Sequence, residues 1–140
     1  MTHAQNYASF FENIDKDTPV DDFKLFFDLE AKFKDPFHEL CGIENIYNVF
    51  QKMYENLDDP RFKVDEVVVN KNIAYIKWEF NFFFKNEKNK NSFTGVSRVV
   101  FDSDGKAIFH EDYWDAAQNI YEKIPILKTM IKFAKNKIRA

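Results

Sequence analysis

The chain has 140 residues, 45% of them hydrophobic and 17 of them Phe, with 31% charged. That is enough apolar side chain for one packed domain and too much for a disordered chain. A formal net charge of −3 excludes a generally basic nucleic-acid binder, and the single cysteine, Cys41, excludes an internal disulfide or a Cys-based zinc site.

The opening residues, Met1-Thr-His-Ala-Gln-Asn, are polar and lack the apolar core of a secretion signal. No apolar run approaches the roughly 20 residues needed to span a bilayer. A cytoplasmic protein in a reducing compartment is expected. In chain order, residues 4–16 read as a helix, with Tyr7, Phe10, Phe11 and Ile14 on one stripe. Thr18-Pro-Val-Asp-Asp starts a second helix, with Thr18 as its cap and Phe23, Phe26 and Phe27 inward. Residues 29–34 alternate like a strand, which Asp35-Pro36 stops. After Gly42 the helical period returns over 43–57, and Asp58-Asp-Pro closes it.

Strands follow at 62–69, 73–84, 93–101 and 107–114. In the longest, Ala74, Ile76, Trp78, Phe80, Phe82 and Phe84 share one face, and Tyr75, Lys77, Glu79 and Asn81 the other. Asn70-Lys-Asn, the polar stretch 85–91 and Asp102-Ser-Asp-Gly are the turns. Helices at 116–122 and 126–138, broken by Pro125, end the chain. This order predicts an α+β domain: a curved, cone-shaped antiparallel sheet against three N-terminal helices, with a C-terminal helix. A cone of that kind is a usual place for a small-molecule site.

Two clusters could carry chemistry: Asp35-Pro-Phe-His38 after the first strand, and His110-Glu-Asp-Tyr-Trp-Asp115 at the end of the last. Alternation puts Ile108, His110, Asp112 and Trp114 on one side of that strand. A histidine and a carboxylate beside an apolar wall suit acid/base work near neutral pH. They equally suit a strand end whose polar groups only bond each other. Asp35 is either a turn residue or a base, with His38 in reach of it. The spacing of Asp35, His38, His110 and Asp112 matches no metal motif, so no metal is expected. No Gly-rich phosphate loop is present, so no cofactor is expected either.

Helix–helix–strand–Asp-Pro–helix–meander resembles the nuclear transport factor 2-like superfamily over about residues 4–122. That group includes ketosteroid isomerases and SnoaL-like polyketide cyclases. Lys34-Asp35-Pro36 is similar to the segment that carries the isomerases' catalytic base, which implies that role for Asp35. His110, Asp112 and Asp115 match the SnoaL-like strand end His-x-Asp-x-x-Asp, which implies an acid/base aspartate there. The two clusters together with Tyr121-Glu-Lys-Ile-Pro-Ile-Leu resemble an uncharacterised bacterial subgroup. The isomerases hold their enolate with a Tyr on the first helix and a protonated acid on the penultimate strand. Those places fall near Ser9 or Phe10 and at Ser97, with Tyr7 a turn away. Without two such donors, several kcal/mol of oxyanion stabilisation is missing.

The resemblance implies cofactor-independent acid/base chemistry of isomerase or cyclase type on a small apolar carbonyl compound. Asp35 and Asp112 are the candidate bases, and His110 and His38 assist. Trp114, Trp78, Ser97, Tyr7, Phe11 and Tyr47 are the candidate pocket. The alternative is a non-catalytic ligand-binding or scaffold domain. A homodimer through the outer sheet face is expected, with Tyr75, Lys77, Glu79 and Asn81 on that face. From Lys123 onward there are six basic residues and no acid, whereas residues 1–122 carry 14 basic and 23 acidic residues, a net of −9. On helix 126–138, Leu127, Met130, Ile131, Ala134 and Ile138 form a stripe flanked by lysines. Such a basic amphipathic helix either closes over a core, the ordinary case, or touches an anionic membrane surface.

Overall fold

In a computed structural model of the chain, the described residues are 2–119 and 125–139, and the side chains of 125–128 are outside the description. Helix α1 spans His3–Asn13. Its start is a capping box: Thr2 Oγ1 accepts the Gln5 N–H at 3.1 Å, and Gln5 Oε1 accepts the Thr2 N–H at 3.0 Å. It stops three residues before the predicted end. Asp15 takes the backbone into a turn there by accepting the Asp17 N–H at 2.8 Å.

The second helix, α2, is a single turn, Val20–Phe23, with Pro19 at its N-cap and no side-chain cap. The expected Thr18 cap is replaced by a local bond, in which Thr18 Oγ1 accepts the Asp15 N–H at 2.9 Å. Strand β1 follows as Phe27–Lys34. Phe27, Ala31 and Phe33 are buried, but Leu29 is 61% exposed. The ladder shifts register between Phe27 and Lys32, and Asp28 Oδ2 turns the backbone there by accepting the Glu30 N–H at 2.9 Å. A three-residue strand β2, Glu39–Cys41, folds back on β1. It is too short to leave a period in the sequence.

Helix α3, Ile43–Asn56, buries Ile43, Ile46 and Phe50. The remaining strands are β3 Leu57–Asn70, β4 Ile73–Phe84, β5 Asn91–Phe101 and β6 Ala107–Tyr113. β3 starts five residues before the predicted strand and runs through Pro60. It tolerates the proline because it is the sheet's edge, with a register shift between Asp58 and Arg61. The strand order is β2-β1-β6-β5-β4-β3, curved and unclosed. Every pair is antiparallel except β1 with β6, which run parallel. This is the α+β cone, with one parallel seam where β1 returns beside the last strand.

The helices cover the concave face, α1 against β3 and α3 against β1 and β3. Between them lies an aromatic core in which Tyr7, Phe23, Phe27 and Phe82 are fully buried. Phe10 stacks on Phe26 at 4.4 Å, and Phe23 meets Tyr47 edge-on at 5.2 Å. After β6, α4 spans Ala116–Asn119, and α5 spans Pro125–Ile138 with proline in the first turn. The rest of the predicted 116–122 helix, and the Tyr121 motif, lie outside the described residues. On α5, Met130 and Ile138 of the predicted stripe are 62% and 85% exposed, as is Phe133 at 64%. No helix of the described residues is long and apolar enough to cross a membrane.

Candidate functional site

The site begins with a bulge in β6. Phe101 pairs with Ala107 and Val100 with Phe109, so Ile108 is left over. The extra residue shifts the alternation: Ala107 and His110 go inward at 0% and 4% exposure, and Ile108 turns out at 40%. Ile108 therefore does not share the side of His110, contrary to simple alternation. His110, Asp112 and Trp114 all reach one cavity of about 120 Å³, enclosed by α1, α3 and the concave sheet.

The cavity wall is mainly apolar. Of the residues singled out from sequence, Tyr7, Phe11, Asp35, Trp78, Ser97, His110, Asp112 and Trp114 line it. His38 and Tyr47 do not. Tyr47 instead donates its hydroxyl to the Thr18 carbonyl at 3.0 Å, tying α3 to the turn before α2. His38 sits 39% exposed on the far side of Asp35. Phe33, Phe50, Met53, Phe62, Val64, Phe80 and Phe93 also line the cavity. Alternation carried the signal for some of these: Phe93 lies two steps of period two from Ser97, and Phe33 lies two residues before Asp35.

One string of hydrogen bonds crosses the cavity wall. The Trp78 indole Nε1–H donates to Ser97 Oγ at 2.8 Å, and Ser97 Oγ donates to Asp112 Oδ1. His110 Nε2 lies 2.6 Å from the same oxygen, and Tyr7 OH lies 2.7 Å from His110 Nδ1. Burial, reinforced by the Asp112 carboxylate, holds the Tyr7 hydroxyl well above its usual pKa, so it stays protonated and donates. Nδ1 then accepts, and the Nε2 proton goes to Asp112. Asp112 Oδ2 is left with no hydrogen bond from the described residues. The His110 ring is fixed by stacking on Phe33, at 5.0 Å and 18°.

Gly95 makes this string possible. It stands opposite Trp78 in the β4–β5 ladder, and a Cβ there would lie 2.5 Å from the indole Cζ2. Asp35 is held differently. Its Oδ1 accepts the N–H groups of Phe37 and His38 at 2.8 and 2.7 Å, and His38 Nδ1 lies 3.0 Å away. That carboxylate closes the β1–β2 turn, and it also borders the cavity. Asp35, Asp112 and Trp114 line both the cavity and an open groove outside it, so they form the mouth. Among the described residues, no group of three or more His, Cys, Asp or Glu is placed to hold a metal ion.

The SnoaL-like domain model matches residues 7–110. The chain belongs to the SnoaL-like family of the nuclear transport factor 2-like superfamily. No curated protein matches it. Among solved structures, it is similar to a hypothetical protein of ketosteroid isomerase-like fold from Catenulispora acidiphila, in complex with trimethylamine. That pair has TM-score 0.72 and 10% identity, covering 86% of this chain and 92% of that one. It is also similar to an M. tuberculosis LEH-like epoxide hydrolase, with TM-score 0.69, 12% identity and coverage of 99% and 94%. A putative SnoaL-like polyketide cyclase from Jannaschia gives TM-score 0.65 at 10% identity, with coverage of 79% and 84%. Likeness at these identities establishes the fold.

Proposed function

We propose that the domain binds one small, mainly apolar molecule in the cavity and acts on it by cofactor-independent proton transfer. Asp112 is the general base. The observation that carries this reading is the Trp78–Ser97–Asp112–His110–Tyr7 string, which fixes one carboxylate oxygen and leaves the other without a hydrogen bond among the described residues, on a side chain that lines the cavity. A carboxylate so placed meets the geometric condition for a base, and His110 positions it and shares its charge. The isomerase and cyclase chemistries of the superfamily rest on such a base.

The carbonyl part of the expected substrate finds less support. A developing oxyanion needs free donors; Tyr7, Trp78, Ser97 and His110 direct theirs into the string, which leaves the Trp114 indole N–H at the mouth without a hydrogen bond among the described residues. Asp35 borders the mouth, but its Oδ1 is committed to the turn. The same commitment of donors favours a second reading, in which the cavity holds a ligand without chemistry. Deuterium wash-in from D2O separates the two, with 2-butanone, nitroethane and aminoacetone as probes and mass spectrometry as readout. A general base accelerates the exchange, and Asp112→Asn lowers the acceleration by about 10²–10⁴-fold. Binding without accelerated exchange in the wild type would overturn the catalytic reading and leave the ligand-binding one.

The proposal includes pairing of two copies through the outer sheet face. Tyr75 and Tyr113 stand 44% and 52% exposed there, among mixed charges that suit an interface.

A further inference from the structure

Four side-chain donors of the cavity are spent within its own wall. The Trp78 N–H goes to Ser97, the Ser97 O–H and His110 N–H go to Asp112, and the Tyr7 O–H goes to His110. The Asp112 side chain lines both the cavity and the groove outside it, and its Oδ2 has no hydrogen bond among the described residues. Among the described residues, no Lys or Arg lines the cavity. The mouth is two carboxylates and an indole: Asp35, Asp112 and Trp114.

The surroundings continue the pattern. Among the described residues, the groove outside adds Glu111 and Asp115 against one cation, Lys34, which lies 3.9 Å from Glu111. Trp114 stacks on Phe93 at 4.5 Å and meets Phe37 edge-on at 5.3 Å, so the mouth's aromatic faces are held in place. Among the described residues, a ligand ending in an acceptor meets a single unbonded indole N–H at the mouth, that of Trp114, set beside two carboxylates, and an anion is repelled by those carboxylates. An ammonium group supplies both missing elements. It donates to Asp112 in a charge-assisted bond, and its charge is attracted by an outer face of the Trp114–Phe93 stack. The negative groove also steers a cation inward.

We propose that the ligand of this cavity is a small amine, bound as its ammonium. The head group bonds Asp112 Oδ2 beside Trp114, and the hydrocarbon body lies among Phe33, Trp78 and Phe93. The volume of about 120 Å³ sets the size. An apolar cavity of ~150 Å³ takes benzene, so the body is about six carbon atoms or fewer. This inference rests on the cavity being the ligand site, as proposed above, and is independent of whether chemistry follows binding.

The experiment is a chemical-shift titration of the full chain, read at the Trp78 and Trp114 indoles. The probes are tert-butylammonium chloride, tert-butyl alcohol, acetone and benzene. The ammonium binds about tenfold or more tighter than the isosteric alcohol, and acetone binds weakest. In Asp112→Asn the preference for the ammonium disappears while benzene still binds. The wild-type series decides the point by itself where Asp112→Asn does not fold. Equal affinity for ammonium and alcohol, a preference for acetone, or ammonium binding that leaves both indoles unmoved overturns the amine assignment. In those cases, benzene shifts at the indoles keep the cavity as a ligand site. No indole shift with any of the four probes overturns both readings.

Discussion

Tyr7→Phe removes one oxygen from the most enclosed point of the polar string. The ring remains, with its edge contacts to Phe11, Phe27 and Phe101 at 5.0, 5.4 and 5.3 Å, so almost no cavity opens. What changes is His110 Nδ1, which loses its donor within a residue 4% exposed. A buried polar atom left unpaired costs about 1–3 kcal/mol, more than the net worth of an ordinary hydrogen bond. For a domain of this size a loss of ~2 kcal/mol lowers Tm by roughly 6–10 °C. Urea unfolding at pH 7 measures the first figure and calorimetry the second.

The alkaline limb gives a second readout of the same group. Tyr7's folded-state pKa is raised by burial and by Asp112. An unfolded tyrosine ionises near pH 10, and the folded one keeps its proton there. Its contribution is fully present below pH 10 and falls by about 1.4 kcal/mol per pH unit above it. Tyr7→Phe lacks that slope, so the gap between wild type and variant narrows as pH rises past 10. Equal stability at pH 7 together with parallel pH profiles would refute the buried Tyr7–His110 bond.

Three further outcomes follow from the geometry. Gly95→Ala forces the Trp78 indole off Ser97, and overpacking of this kind costs about 1–3 kcal/mol, read by urea unfolding with indole fluorescence; an unshifted midpoint and spectrum would contradict it. Asp35→Asn loses charge-assisted bonds to two backbone N–H groups and to His38, and destabilises by about 1–3 kcal/mol; unchanged stability would show that the turn does not depend on this carboxylate. Tyr75→Asp on the outer face converts the expected dimer to monomer in sedimentation equilibrium, and a wild-type protein that is already monomeric would refute the pairing.

How far the sequence reached depends on where local pattern and tertiary geometry agree. In β4, alternation was complete, and Ala74, Ile76, Trp78, Phe80 and Phe82 all face inward. In β6, the same rule placed His110, Asp112 and Trp114 together but also placed Ile108 with them. A one-residue bulge opposite Val100 and Phe101 reverses parity and carries no sequence period of its own. The β1–β2 turn was visible as Asp35-Pro36, whereas β2 was not, because three residues cannot show a period. Thr18 looked like a cap by composition, and its hydroxyl was taken by Asp15 instead. The polar string was only half legible. His110 and Asp112 are two residues apart on one strand, but Tyr7 is 103 residues from His110. Ser97 reaches Asp112 only through the β5–β6 register. Tyr47 shared a helical face with Phe50 and was drawn away from the cavity by the Thr18 carbonyl.

The central claim is a small apolar hollow with the Asp112 carboxylate at its entrance. A crystal pressurised with xenon tests it most directly, since xenon enters apolar cavities of this size. A xenon site in contact with Phe33, Trp78 and Trp114 is the predicted result. Side chains of Trp114 or Phe93 filling that space, with no xenon between them, would contradict it.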